Sequence, residues 1–235
     1  MKIIKIHSHK QGHELILEHH PECFADIIQA VESFDPLTCL IKISEEKSKI
    51  RRWGGLIFSP RAINRYFRHA LYPLGWAEWD EKDKKYKEPR IRFDDDTTVR
   101  GNDRFRSLDG LKDRVGLEIQ MGKYAFMGYD VFSKMIIFSN KGMIDYGIEL
   151  VLVQEMVNCM STGVSAFEHL MIDFRYRGEA DIDIPVAVLG FGATEAEWNL
   201  IRQRQEAFRH DPEGIMRQFP EIGGHDLKGT KPGPK

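Results

Sequence analysis

The sequence predicts an α/β domain, a mixed β-sheet flanked by helices. Short apolar runs of strand length, such as "IELVLV" and "PVAVLGFG", alternate with stretches whose apolar residues recur at helical spacing. The chain has 235 residues, of which 42% are hydrophobic and 30% charged, enough to close a substantial core. No apolar run approaches the roughly 18–20 residues of a membrane span.

Residues 2–6 alternate lysine and isoleucine and read as a short strand. A helix is expected from about Pro21, because Phe24, Ile27, Ile28 and Val31 share one helical face. "GGLIFSPRAINRYFRHALYPLGW" reads as a short strand and then a helix, with Ser59 as cap, Pro60 in first position, and an end before Pro73 and Gly75. Residues 77–106 are the most polar region and are expected to form a mobile hairpin or extended loop inserted in the domain. Two short strands follow over 108–121, with Gly110 allowing the turn between them. Next come a helix from about Tyr129 to Phe138 and a buried strand in "YGIELVLVQEM". A last strand feeds a helix whose Thr194 and Glu197 form a capping box. The domain is expected to span 1–222, leaving a flexible Gly/Pro/Lys tail at 223–235.

The net charge of −2 gives no sign of nucleic acid, although a binding cleft needs only local positive charge. Basic residues interleaved with aromatics at Arg51–Trp53, Arg61–Arg68 and Lys84–Arg106 could grip phosphates. Three widely spaced cysteines and no evident signal peptide fit a reducing cytoplasm. The histidines near the N-terminus lack zinc spacing, and the acidic run Asp94–Asp96 reads as solvated. "GFGAT" lacks the third glycine of a dinucleotide loop and fits a strand end before a capped helix.

The chemistry concentrates in "LDGLKDRVGLEIQMGKYAFMGYDVF". Glu118 and Gln120 interrupt an apolar strand two residues apart, so both project from one face. Asp109, nine residues earlier, can return beside Glu118 across a hairpin. Two carboxylates at one sheet edge repel unless a cation joins them, and their hard oxygens suit Mg²⁺. Gln120 carries no proton to exchange, so its amide can only orient a water or touch a phosphate. From the pattern alone, the same residues also fit a surface hairpin with an exposed polar face.

The stretch resembles the type II restriction endonucleases of the BglII/BstYI group. These are PD-(D/E)xK nucleases in which glutamine replaces the usual lysine of the last motif. "KIHSHKQGHE", "IFSPRAINRYF", "DYGIELVLVQEM", "MSTGVSAFE" and "PVAVLGFGA" follow the same group in the same order, so the resemblance covers most of residues 1–193. The polar insert and the extension after about Thr194 depart from it.

The resemblance implies a restriction-endonuclease-like core and a catalytic set of Asp109, Glu118, Gln120 and Asn64. Asp109, Glu118 and the Ile119 carbonyl would be the metal ligands, and Mg²⁺ the cofactor. Lys123, Ser161 and Thr162 would contact DNA. It also implies a homodimer joined through residues 129–140, cutting a palindromic site in double-stranded DNA, with a GATC-like core and degenerate ends. A repair or junction nuclease of the same superfamily, or a DNA-binding protein whose active site has lapsed, remains open.

Overall fold

The computed structural model describes residues 1–93, 98, 105–123, 128–178 and 181–224. Its centre is a five-stranded mixed sheet in the order β1 (Lys2–His9), β11 (Val186–Gly192), β10 (Tyr146–Leu152), β9 (Val115–Gln120) and β8 (Gly110–Lys112). The outer pairs are antiparallel and the two inner pairs, β11–β10 and β10–β9, are parallel. A mixed α/β architecture is therefore what the chain adopts. Among the described residues, no helix is long and apolar enough to cross a membrane.

Strand alternation divides the sheet between two cores. Val115, Leu117 and Ile119 of β9 join Ile148, Leu150, Leu152, Leu189 and Phe191 on one face. That face is covered by α2 (Pro21–Glu32) and α4 (Pro60–Leu71), which contribute Ile27, Val31, Ile63 and Phe67. On the other face, Val151, Val186 and Val188 meet Val131, Met135 and Phe138, together with Phe167, Leu170 and Phe174 of α7 (Phe167–Arg177).

Several helices start where their residue types require. The Ser59 side chain accepts from Ala62 N at 3.3 Å, with Pro60 beginning α4. Thr194 and Glu197 cap α8 (Glu195–His210) reciprocally, so "GFGAT" is a strand end entering a helix. The helical segment after residue 127 passes at its third residue into a π-turn, Asp130–Lys134, before continuing as α5 (Met135–Asn140).

One expectation changes and another gains detail. The polar insert contains two antiparallel pairs, β4 (Glu78–Asp80) with β5 (Lys85–Lys87) and β6 (Arg90–Arg92) with β7 (Phe105–Ser107). Trp79 meets Tyr86 edge to face and Tyr72 packs against it at a tilt, which anchors the first pair. The β8–β9 turn lies at Asp113–Arg114, both at positive φ, and not at Gly110. Gly110 is a strand residue whose missing Cβ admits Trp76, with ring and backbone atoms at 3.1–3.3 Å. Residues Asp94–Asp96 and most of the expected tail, 225–235, lie outside the described residues.

Helix α1 (Gly12–His19) has no counterpart in the sequence reading. Lys10 and Gln11 turn the chain into it at φ 47° and 59°, which apolar periodicity does not report. Gly12 sits against the Val186 backbone, where a Cβ would lie 2.4 Å from the nitrogen and carbonyl carbon. Backbone cannot move aside as a side chain can. Gly12→Ala is therefore expected to lower unfolding stability by about 2–3 kcal/mol in urea titrations, and an unchanged midpoint would contradict this packing.

Candidate active site

The tight turn at Asp113–Arg114 sets the register of the β8–β9 hairpin. Gly110 pairs with Leu117, so Asp109 arrives opposite Glu118 as the ladder ends. Asp109 Oδ2 accepts from Ile119 N at 3.0 Å. The amide and carbonyl of one strand residue face the same edge, so the Ile119 carbonyl also points to the edge that β8 leaves uncovered. Asp109, Glu118 and the Ile119 carbonyl thus converge at one end of one sheet edge.

Each carboxylate has a cation of its own. Arg68 Nη2, from α4, reaches Asp109 Oδ1 at 3.1 Å and Glu88 Oε1 at 2.8 Å. Lys134 Nζ reaches Glu118 Oε1 at 2.7 Å and Asp130 Oδ1 at 2.6 Å. Asn64 stands one turn before Arg68 on α4, with Oδ1 buried and without a hydrogen-bond partner among the described residues. No hydrogen bond joins Asn64 to the carboxylates.

Gln120 does something other than face the solvent. Its Nε2 donates to Asp130 Oδ2 at 2.7 Å, and its Oε1 accepts from Gly122 N at 2.6 Å. Both ends of the amide are consumed inside the protein, so the expected contact with water or phosphate is replaced by a structural one.

A further carboxylate completes the cluster. Glu149 on β10 lies directly beside Glu118 in the parallel ladder and is 0% exposed. Neither of its oxygens has a hydrogen-bond partner among the described residues. Burial, followed by the charges of Asp130 and Glu118, raises its pKa well above 4.5. Burial and the nearby Asp109 also raise the Glu118 pKa, against the opposing pull of Lys134. Burial works against the Lys134 ammonium too, but Glu118 and Asp130 more than compensate and raise its pKa.

This donor set fits a hard divalent cation. Asp109, Glu118 and Asp130 share two basic side chains, Arg68 and Lys134, in a largely buried site, with Glu149 beside them pushed toward its neutral form. Among the described residues, no group of three or more His, Cys, Asp or Glu is arranged around one point. Two carboxylates and a carbonyl leave coordination positions for water and phosphate, as Mg²⁺ prefers.

The expected DNA-reading residues come together on a neighbouring surface. Exposed Lys123 forms an isolated antiparallel bridge with Val164, and Ser165 N donates to Gly122 O at 3.1 Å. This places Lys123 near the Ser161–Thr162 loop. Both hydroxyls are already engaged: Ser161 Oγ accepts from Lys42 Nζ at 2.8 Å, and Thr162 Oγ1 donates to Glu46 Oε2 at 2.5 Å. A cleft of about 410 Å³ beside them is lined by Lys49, Asn158 and His169 among others.

Asp130, Lys134 and Glu149 are the site residues that sequence reasoning missed, and Arg68, grouped there with phosphate-gripping basic residues, instead pairs with Asp109 and Glu88. Glu149 interrupts an apolar run as Glu118 does, and Asp130 and Lys134 have the i,i+4 spacing of a helical ion pair. Those signals were present. Which acid faces which base depends on strand order, which the sequence does not display.

The family model described as Restriction endonuclease BglII/BglIII matches residues 4–191. Two solved structures share the fold. The crystal structure of restriction endonuclease BglII complexed with a DNA 16-mer superposes with a TM-score of 0.62 at 17% identity, covering 83% of this chain and 80% of that one. The crystal structure of free BglII gives 0.53 at 16% identity, covering 83% and 81%. No curated protein matches the chain.

The burial of Glu149 has a pH signature. Its folded pKa is raised above 4.5, so the fold binds this proton more tightly than the unfolded chain does. Its contribution to stability is favourable at low pH and is lost as pH rises above the unfolded value. Glu149→Gln should raise the thermal midpoint by several degrees at pH 8 and by clearly less at pH 5. Equal shifts at the two pH values would count against a protonated Glu149.

Proposed function

Because the chain belongs to the BglII/BglIII restriction endonuclease family, we propose that it is a Mg²⁺-dependent type II enzyme cutting both strands of a palindromic site. The observation that carries this reading is the convergence of Asp109, Glu118 and the Ile119 backbone at one sheet edge.

In this reading, Asp109, Glu118 and the Ile119 carbonyl hold the Mg²⁺. When bound, the ion polarises the phosphodiester and stabilises the charge that develops on it. The remaining work falls to side chains. Asn64 Oδ1 is free to accept a hydrogen from the attacking water and so orient it, though an amide cannot take the proton away. Arg68, within reach of Asp109, stands ready to meet the negative charge of the scissile phosphate. Water attacks phosphorus in line, and the bond to the 3′ oxygen breaks, leaving a 5′-phosphate and a 3′-hydroxyl. Gln120 takes no part in proton transfer and holds the catalytic strand to the helical segment that follows.

Lys123, Ser161 and Thr162 are proposed to read DNA. A lysine can donate to guanine O6 and N7, and a hydroxyl can donate or accept at an outer base pair. For Ser161 and Thr162, the exchange would release Lys42 and Glu46. Two-fold symmetry of the target asks for a homodimer, and the segment Asp130–Asn140 is its proposed seam. Phe132, Ile136 and Ile137 on that segment are only partly buried within one chain. A six-base target with a GATC-like core is the finest level of this proposal, and it rests on the resemblance alone.

Plasmid DNA incubated with the protein and Mg²⁺ should give discrete fragments, and sequencing their ends would read the target. A smear would favour a structure-directed nuclease. A gel shift on palindromic duplex without cutting, under every divalent metal, would favour a lapsed active site. Glu118→Ala should slow cleavage by about 10³-fold while leaving site-specific binding in place. Cleavage by that variant at the parent rate would remove Glu118 from the site.

A further inference from the structure

Three buried side chains, Glu118, Gln120 and Asp130, and the half-buried Lys134 link β9 to the helical segment behind it. Glu118 and Gln120 occupy i and i+2 of β9, and Asp130 and Lys134 occupy i and i+4 of the π-turn. The contacts run Glu118–Lys134 at 2.7 Å, Lys134–Asp130 at 2.6 Å and Asp130–Gln120 at 2.7 Å. Two residues of strand and one helical turn advance by similar distances, about 6–7 Å, so the two pairs meet in register. A π-turn widens the helix where it occurs, and such turns collect at functional sites.

We infer that Lys134 is a positioning residue for Glu118, anchored by Asp130 and, through it, by Gln120. This rests on the nuclease reading above. The ammonium binds Oε1 of the Glu118 carboxylate, so before loading it stands in for an ion at that group. A cation entering at Asp109 and Glu118 must share the carboxylate with Lys134 and overcome the ammonium's charge. Lys134 thereby weakens metal binding by the free protein, yet it fixes where the Glu118 carboxylate points when the ion arrives. Asp130 keeps the ammonium from being given wholly to Glu118.

A purely structural ion pair and a positioning residue differ in what their loss does. If Lys134 only stabilised the fold, its removal would weaken metal binding and cleavage together, in step with thermal stability. If it positions Glu118, the two part company. In Lys134→Met, Mn²⁺ binding measured by calorimetry without DNA should tighten by about tenfold, because a repelling charge has gone. Cleavage at saturating Mn²⁺ should fall by about 100-fold, because the carboxylate is no longer aimed. Asp130→Asn should act in the opposite sense on the metal, weakening Mn²⁺ binding by several-fold with about a tenfold loss of cleavage.

Unchanged or weaker Mn²⁺ binding in Lys134→Met, or cleavage within threefold of the parent at saturating metal, overturns the inference. Should Lys134→Met fail to fold, Asp130→Asn decides alone: parental metal affinity overturns it, and weakened affinity supports it. A parent protein that cuts no DNA with any divalent cation removes the nuclease reading instead, and the calorimetry still judges Lys134.

Discussion

Like charges cannot be brought together in a dry protein without cations, and much of this structure follows from that constraint. The β8–β9 hairpin and the parallel β9–β10 ladder set Asp109, Glu118 and Glu149 side by side. The surrounding elements then supply countercharge. α4 sends Arg68 to Asp109, and the π-turn sends Lys134 to Glu118. Glu149, which no base touches among the described residues, is pushed by burial well above the ordinary carboxylate range, which favours its neutral form. Removing one partner from such a group leaves a buried charge uncompensated, which costs far more than the pair contributes in place.

The same constraint explains why one strand can serve packing and chemistry at once. Alternation along β9 gives Val115, Leu117 and Ile119 to the larger core and Gly116, Glu118 and Gln120 to the opposite face. Burial on the apolar side fixes the register, because a slip of one residue would turn the carboxylate into the core. The position of Glu118 is thus enforced by Leu117 and Ile119 as firmly as by its own contacts.

How legible the site is in the sequence depends on the range of each interaction. The strand carrying Glu118 and Gln120, the Ser59–Pro60 helix start and the Thr194–Glu197 box are local patterns, and each forms as its residues dictate. The pairing of Asp109 with Glu118 needs only a short hairpin, although the turn proved to be Asp113–Arg114 because both residues accept positive φ. Glu149 and Arg68 are different in kind. Glu149 meets Glu118 across 31 positions of chain through a parallel crossover, and Arg68 meets Asp109 across 41. No period or spacing within the sequence encodes those meetings. The partner of Gln120 is hidden for the same reason: an amide two residues from Glu118 reads as solvent-directed until Asp130 is placed against it.

That placement joins β9, the segment after it and the π-turn through one side chain. The Gln120–Asp130 hydrogen bond ties the end of β9 directly to the π-turn. Gly122 is held from both sides, by Gln120 Oε1 on its amide and by Ser165 on its carbonyl. Gln120, Asp130, Lys134 and Glu118 are thus joined in one continuous series of contacts that begins one residue before Lys123. A lysine at position 120 would break this chain of contacts, because its ammonium could accept nothing from Gly122. Glutamine is the side chain that donates to Asp130 and accepts from Gly122 at once, which gives the amide at this position a physical reason.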